Sequence, residues 1–168
     1  GGLGRRMIRP PQIGHLVTLL DDTGIAQHAT YAVATRDHGY CLDDNARGLL
    51  YAVSLRRLSL HRDLADRLFA RTAAFVQHAW NADASRFRNF MAFDRRWLED
   101  EGSQDSHGRA VWVLGRVVSD APDPDAQRWA VELLERSAPA LPSFASPRAL
   151  AFGLLGLTAW ATGEAGRD

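Results

Sequence analysis

Lysine is missing from this chain: all 20 basic residues are arginine, a bias expected of a GC-rich genome. No Schiff-base lysine and no phosphate-loop lysine can therefore operate here. Net charge is missing too, with 20 basic and 20 acidic residues. That balance argues against a broad nucleic-acid surface, and no nucleic-acid partner is expected. The single cysteine, Cys41, excludes an intramolecular disulfide and any multi-cysteine metal site. No apolar run is long enough to span a membrane, so no membrane partner is expected. No signal-peptide pattern follows Gly1–Arg6, and the expected compartment is the cytoplasm. Gly1 is not a translation start, so the chain reads as processed, tagged or cut from something longer, with Met7 a possible internal start.

What is present is a hydrophobic fraction of 46% over 168 residues, enough for the core of a single domain spanning 1–168. Its organising stretch is Asp37-His38-Gly39-Tyr40-Cys41-Leu42-Asp43-Asp44-Asn45-Ala46-Arg47, which turns at once into the apolar run Gly48–Val53. Gln104-Asp105-Ser106-His107-Gly108-Arg109-Ala110-Val111-Trp112 echoes it. Asp43 then corresponds to Asp105 and Arg47 to Arg109. Ser146-Pro147-Arg148-Ala149-Leu150-Ala151 is a fainter third copy.

Residues 1–12 read as irregular. Ile13, Leu16, Val17 and Leu20 recur at helical spacing until Asp21-Asp22-Thr23-Gly24 stops them. Residues 25–42 show no sustained periodicity, although Tyr31–Thr35 has the makings of a short extended segment. Helices are expected over about 44–58, 63–80 and 106–119, from 124 onward, and over 147–162. Asp123-Pro124 and Ser146-Pro147 are strong helix starts. Residues 81–104 read as a long loop holding Phe87, Phe90, Phe93 and Trp97. The expected fold class is all-α, a hairpin array of about six helices. Polar motifs precede alternate helices, so the starts of the inner ones should share one end of the array. Asp43, Asp44, Asp105, the 81–104 loop and Arg148 would surround a common mouth.

His38–Arg47, with Phe87-Arg88-Asn89-Phe90-Met91 and Asp105–Ala110, resembles a bacterial family of all-helical domains. Those domains are fused to, or encoded beside, glycosyltransferases and mannoside phosphorylases. They are similar in architecture to the six-hairpin glycosidases, and the resemblance covers about residues 12–160. It implies half of an (α/α)6 toroid and a carbohydrate substrate.

Each candidate residue has a structural reading beside the chemical one. Asp43 and Asp44 would cap a helix, but one acid suffices for that. Glycoside hydrolysis needs two carboxyl groups approaching from different sides of a sugar, so Asp44 or Asp43 would pair with Asp105, with Asp94, Glu99, Asp100 and Glu101 in the long loop as other candidates. Arg47 and Arg109 would form ion pairs or position hydroxyls. Tyr40, Phe90, Phe93 and Trp97 would stack on sugar rings, with Asn89 and Asp94 hydrogen-bonding nearby. His38 and His107 would bind substrate or fix loops; no metal-ligand spacing supports a metal, and no cofactor is expected. Cys41 reads as inert. The leading expectation is a glycoside hydrolase-like domain. The rival is a non-catalytic sugar-binding or scaffold module accessory to a glycosyltransferase, and a helical-repeat protein-binding domain ranks last. The last helix is apolar nearly all round, which predicts a homodimer through Leu150, Phe152, Leu154, Leu157 or Trp160.

Overall fold

The computed structural model describes residues 12–165. The irregular segment expected over 1–12 lies outside the described residues apart from Gln12, as does Met7. Six α-helices follow in order: α1 (Gly14–Leu19), α2 (Leu42–Arg57), α3 (Arg62–Ala79), α4 (Gln104–Asp120), α5 (Pro124–Ser137) and α6 (Pro147–Ala165). A 3-10 segment, Ala138–Ser143, leads from α5 towards α6. The start signals act locally as expected at α5, where the Asp123 carboxylate accepts the Asp125 N–H and Pro124 opens the helix.

The all-α expectation, and with it half of an (α/α)6 toroid, is overturned. Among the described residues helix makes up 62% and strand 15%, with five strands in two small antiparallel sheets, so the fold is mixed α/β. β1 (Ala26–Thr30) and β2 (Val33–Cys41) form a hairpin, and β5 (Phe90–Met91) pairs with the far end of β2. β3 (Trp80–Asn81) pairs with β4 (Arg86–Phe87). The hairpin escaped the periodicity reading because much of it is wet on both faces. From Val33 to His38 no residue of β2 is buried, and only Gly39, Tyr40 and Cys41 are. Without one dry face there is no apolar alternation to read. Of the extended segment expected over Tyr31–Thr35, Val33–Thr35 lie in β2, while Tyr31 sits in the turn with φ +56°. The 81–104 stretch is not structureless either, since it contains most of the three two-residue strands.

α2 packs against α3 and α4, and α4 against α5 and α6. Leu49, Leu68, Leu114 and Leu134 are fully buried between them. α4 and α6 meet backbone to backbone. A methyl group on Gly115 would collide with the Gly156 backbone, and one on Gly108 with the Ala149 backbone. This contact draws the starts of α4 and α6 together. α6 is less open than its composition implies. Leu150, Leu157 and Trp160 pack on the core, Phe152 stacks on Trp112, and only Leu154 and Leu155 are exposed among its large apolar residues. Among the described residues no helix is long and apolar enough to cross a membrane.

Candidate functional site

The starts of α2, α4 and α6 converge on an open cleft of about 300 Å³. Its α2 side is set by Gly39, which adopts φ +61° and presses on the backbone of Met91 and Ala92, where no side chain fits. Tyr40 can then pair with Met91 and Cys41 with Phe90. The chain turns into α2 with its first N–H groups aimed at Asn89. Leu42 N–H donates to the Asn89 carbonyl at 2.8 Å and Asp43 N–H to Asn89 Oδ1 at 3.3 Å. Glu99 Oε1 holds this segment by accepting the N–H groups of Asn89 and Phe90 at 2.8 and 3.1 Å.

Asn89 thus does the capping for which Asp43 and Asp44 were candidates. The same holds at α4, where Ser103 Oγ accepts the Ser106 N–H at 3.1 Å and Asp105 is not the cap. All three acids are free to line the cleft.

Each acid has defined partners. Asp43 accepts from Arg109 Nε and pairs with Arg47 at 2.7 Å. Asp44 pairs with Arg47 at 3.1 Å and accepts the Cys41 thiol at 3.1 Å. Asp105 accepts the Ser146 hydroxyl at 2.5 Å and pairs with Arg148 at 3.2 Å. The motif acid of one inner helix therefore grips the motif arginine of the next, Asp43 to Arg109 and Asp105 to Arg148. The first rung is the firmer. Arg109 is 13% exposed and lies 4.3 Å from the centre of the Phe152 ring, whereas Arg148 is 72% exposed. Gln104 Oε1 adds a second link from α4 to α6 by accepting the N–H groups of Ala145 and Ser146. Phe90 adds an exposed ring to the lining. Burial pushes the Cys41 thiol up to about 12, so it is a neutral donor and not a thiolate nucleophile.

Of the residues singled out from sequence, Asp43, Asp44, Asp105, Arg47, Asn89 and Arg109 line this cleft, as do Cys41, Phe90 and Arg148. The others lie elsewhere. Tyr40 is buried, with its hydroxyl donating to Asp21 at 2.5 Å; burial, then that bond, pushes it up to about 12. Phe93 stacks on Tyr40 with Arg36 over its ring. Asp94 is an exposed partner of Arg96, which holds its carboxyl below the usual range. Trp97 packs on Phe75 and His78. His38 is an exposed strand residue beside His28.

His107 is fully buried in a cage of Trp80, Phe87 and Phe144. Its Nδ1 accepts the Phe87 N–H, so Nε2 carries the proton and donates to the Ser137 carbonyl at 2.9 Å. Burial drives its pKa down to about 4. It is a loop anchor and not a substrate ligand. Among the described residues no three His, Cys, Asp or Glu side chains are grouped to hold a metal ion.

The sequence reading missed Ser103 and Ser106 in the lining and Ser146 behind Asp105. Serines just ahead of helix starts were the available signal for Ser103 and Ser146. Cys41, read as inert, is a wall residue that hydrogen-bonds Asp44. Set beside known proteins, the chain matches no protein-family model, no curated protein and no solved structure.

Proposed function

We propose that this cleft binds a sugar and that the domain is a carbohydrate-active, glycoside hydrolase-like unit, with Asp44 and Asp105 as its reacting carboxylates. The observation that supports this is the release of the acids from capping. Asn89 and Ser103 satisfy the helix starts, so carboxylates from two helices are left facing one open cleft. Carboxylates, guanidinium groups and an exposed aromatic ring suit a polyhydroxylated ligand with apolar C–H faces. In hydrolysis one carboxyl group protonates the leaving glycosidic oxygen. The other takes a proton from the water that adds to the anomeric carbon, or attacks that carbon itself before water replaces it; the C–O bond breaks and each fragment keeps a hydroxyl. Asp43, held by two arginines, positions Arg47 and Arg109.

A non-catalytic sugar-binding module is the second reading. It is favoured by the arginine paired with each cleft carboxylate, an array of ion pairs that offers sugar hydroxyls both donors and acceptors without any bond being broken. Aryl glycosides and manno- and gluco-oligosaccharides, assayed for hydrolysis and for binding, separate the two. Turnover by the wild type that Asp44→Asn and Asp105→Asn both abolish supports the hydrolase. Saturable binding without turnover favours the module, and neither binding nor turnover rejects a sugar site.

A further inference from the structure

A second cleft, of about 290 Å³, adjoins the first and shares Asp44 and Arg47 with it. Its character is different. Leu16 and Leu19 of α1 face Ile25, with Tyr51 one turn beyond Arg47 on α2. Asp44 and Arg47 are its charged lining residues. Gln27 also lines it, but its amide nitrogen donates to the His38 carbonyl at 2.5 Å. Gly48 is buried beneath Ile25, whose side chain occupies the space a methyl group would need and forms this part of the wall. Charged groups therefore dominate one cleft and hydrocarbon the other, with the Asp44–Arg47 pair between them.

We propose that the second cleft is the subsite for an apolar aglycone, so that the ligand is an alkyl or aryl glycoside with its sugar in the first cleft. The proposal rests on the sugar reading of that first cleft. A uniformly polar oligosaccharide would set hydroxyls against Leu16, Leu19 and Ile25, which offer them no partners. A hydrocarbon chain there leaves water for an apolar wall, while the sugar hydroxyls keep the carboxylates and guanidinium groups. The shared Asp44 then lies beside the junction of sugar and aglycone, where a proton donor to a leaving oxygen belongs.

The test is calorimetric binding of methyl and n-hexyl mannopyranosides and glucopyranosides to the full chain. Methyl resonances of Leu16, Leu19 and Ile25 are followed in parallel with each glycoside and with n-hexanol alone. The hexyl glycoside of the accepted sugar should bind at least about ten-fold tighter than its methyl counterpart. Leu16→Glu and Tyr51→Ala should each bring that ratio below about two-fold, and n-hexanol should shift the three methyl sets. A wild-type ratio below about two-fold overturns the subsite. So does a ratio that survives both substitutions in chains with unaltered circular dichroism. If no glycoside binds, the sugar reading falls and n-hexanol alone decides the second cleft. Shifts at the three residues keep it as a hydrocarbon pocket, and their absence removes it.

Discussion

The two copies of the acidic motif, at the starts of α2 and α4, can be compared position by position. Asp43 and Asp105 both reach to the arginine of the next inner helix. Asn45 and His107 occupy the same place and are both fully buried. Asn45 accepts the Ile25 N–H and donates to the Cys41 carbonyl, while His107 bridges Phe87 and Ser137. Each is a buried polar residue that fastens its helix start to neighbouring chain. The copies part between these two positions. Where α2 has Asp44, α4 has Ser106, which is 1% exposed and bonded to its own cap, Ser103. What repeats ties the helix starts together, and of the repeated groups Asp105 is also a reacting carboxylate in the proposed function. The acid that does not repeat lines both clefts and has no capping duty.

That difference is broken most directly at Asp44. Asp44→Asn should lower glycoside turnover by about 10²–10⁴-fold, the usual worth of a positioned proton-transfer group. The thermal midpoint should barely move, because the partner it loses is the half-exposed Arg47. If Asp44 is the acid, glycosides with strongly activated aryl leaving groups should retain far more activity than alkyl glycosides. A variant that unfolds early but turns over normally would make Asp44 scaffolding.

The next largest effects fall on the repeated positions. Arg109→Ala removes the more buried of the two arginines that hold Asp43 and the cation over Phe152, and should destabilise by about 1–3 kcal/mol in urea unfolding. His107 should make stability pH-dependent. Its folded pKa of about 4 lies below the ordinary 6.5 because the charged ring is desolvated. The unfolded chain therefore binds the proton first as pH falls. His107 stabilises fully above about pH 6.5, and that contribution is lost progressively down to about pH 4, up to about 3 kcal/mol. Unfolding of His107→Gln should lack this slope between pH 6.5 and 4. An unchanged slope would assign it to other groups.

These contrasts also show how far the chain could be read in advance. The motif, its repeat and the five longer helices were legible, because apolar spacing and Asp-Pro or Ser-Pro starts are local signals. Legible too was the convergence of Asp43, Asp44 and Asp105, which follows from alternating helices. The β1–β2 hairpin was hidden by its lack of a dry face. Asn89 as the cap of α2 was hidden for another reason: it lies 46 residues from Asp43, and capping rules look only a few positions away. Tyr40 and His107 looked like site residues because polar aromatic groups beside acids invite that reading. Their burial depends on Asp21, Phe87 and Ser137, contacts made only when distant segments meet.

The smallest expected effect separates the two rungs of the ladder. Arg148 is the positional counterpart of Arg109, and by sequence alone the two should matter equally. In the fold Arg109 is largely covered, while Arg148 stands in solvent and meets Asp105 at 3.2 Å. An exposed ion pair contributes about 0–1 kcal/mol and is weakened further by salt. Asp105 also keeps the Ser146 hydroxyl when Arg148 is gone. Arg148→Ala should therefore lower stability by less than about 1 kcal/mol, and the difference should shrink in about 1 M salt. Urea unfolding at low and high salt measures both. A loss near that of Arg109→Ala, unaffected by salt, would mean that the second rung is as firmly held as the first and that Arg148 is not free to turn towards a ligand.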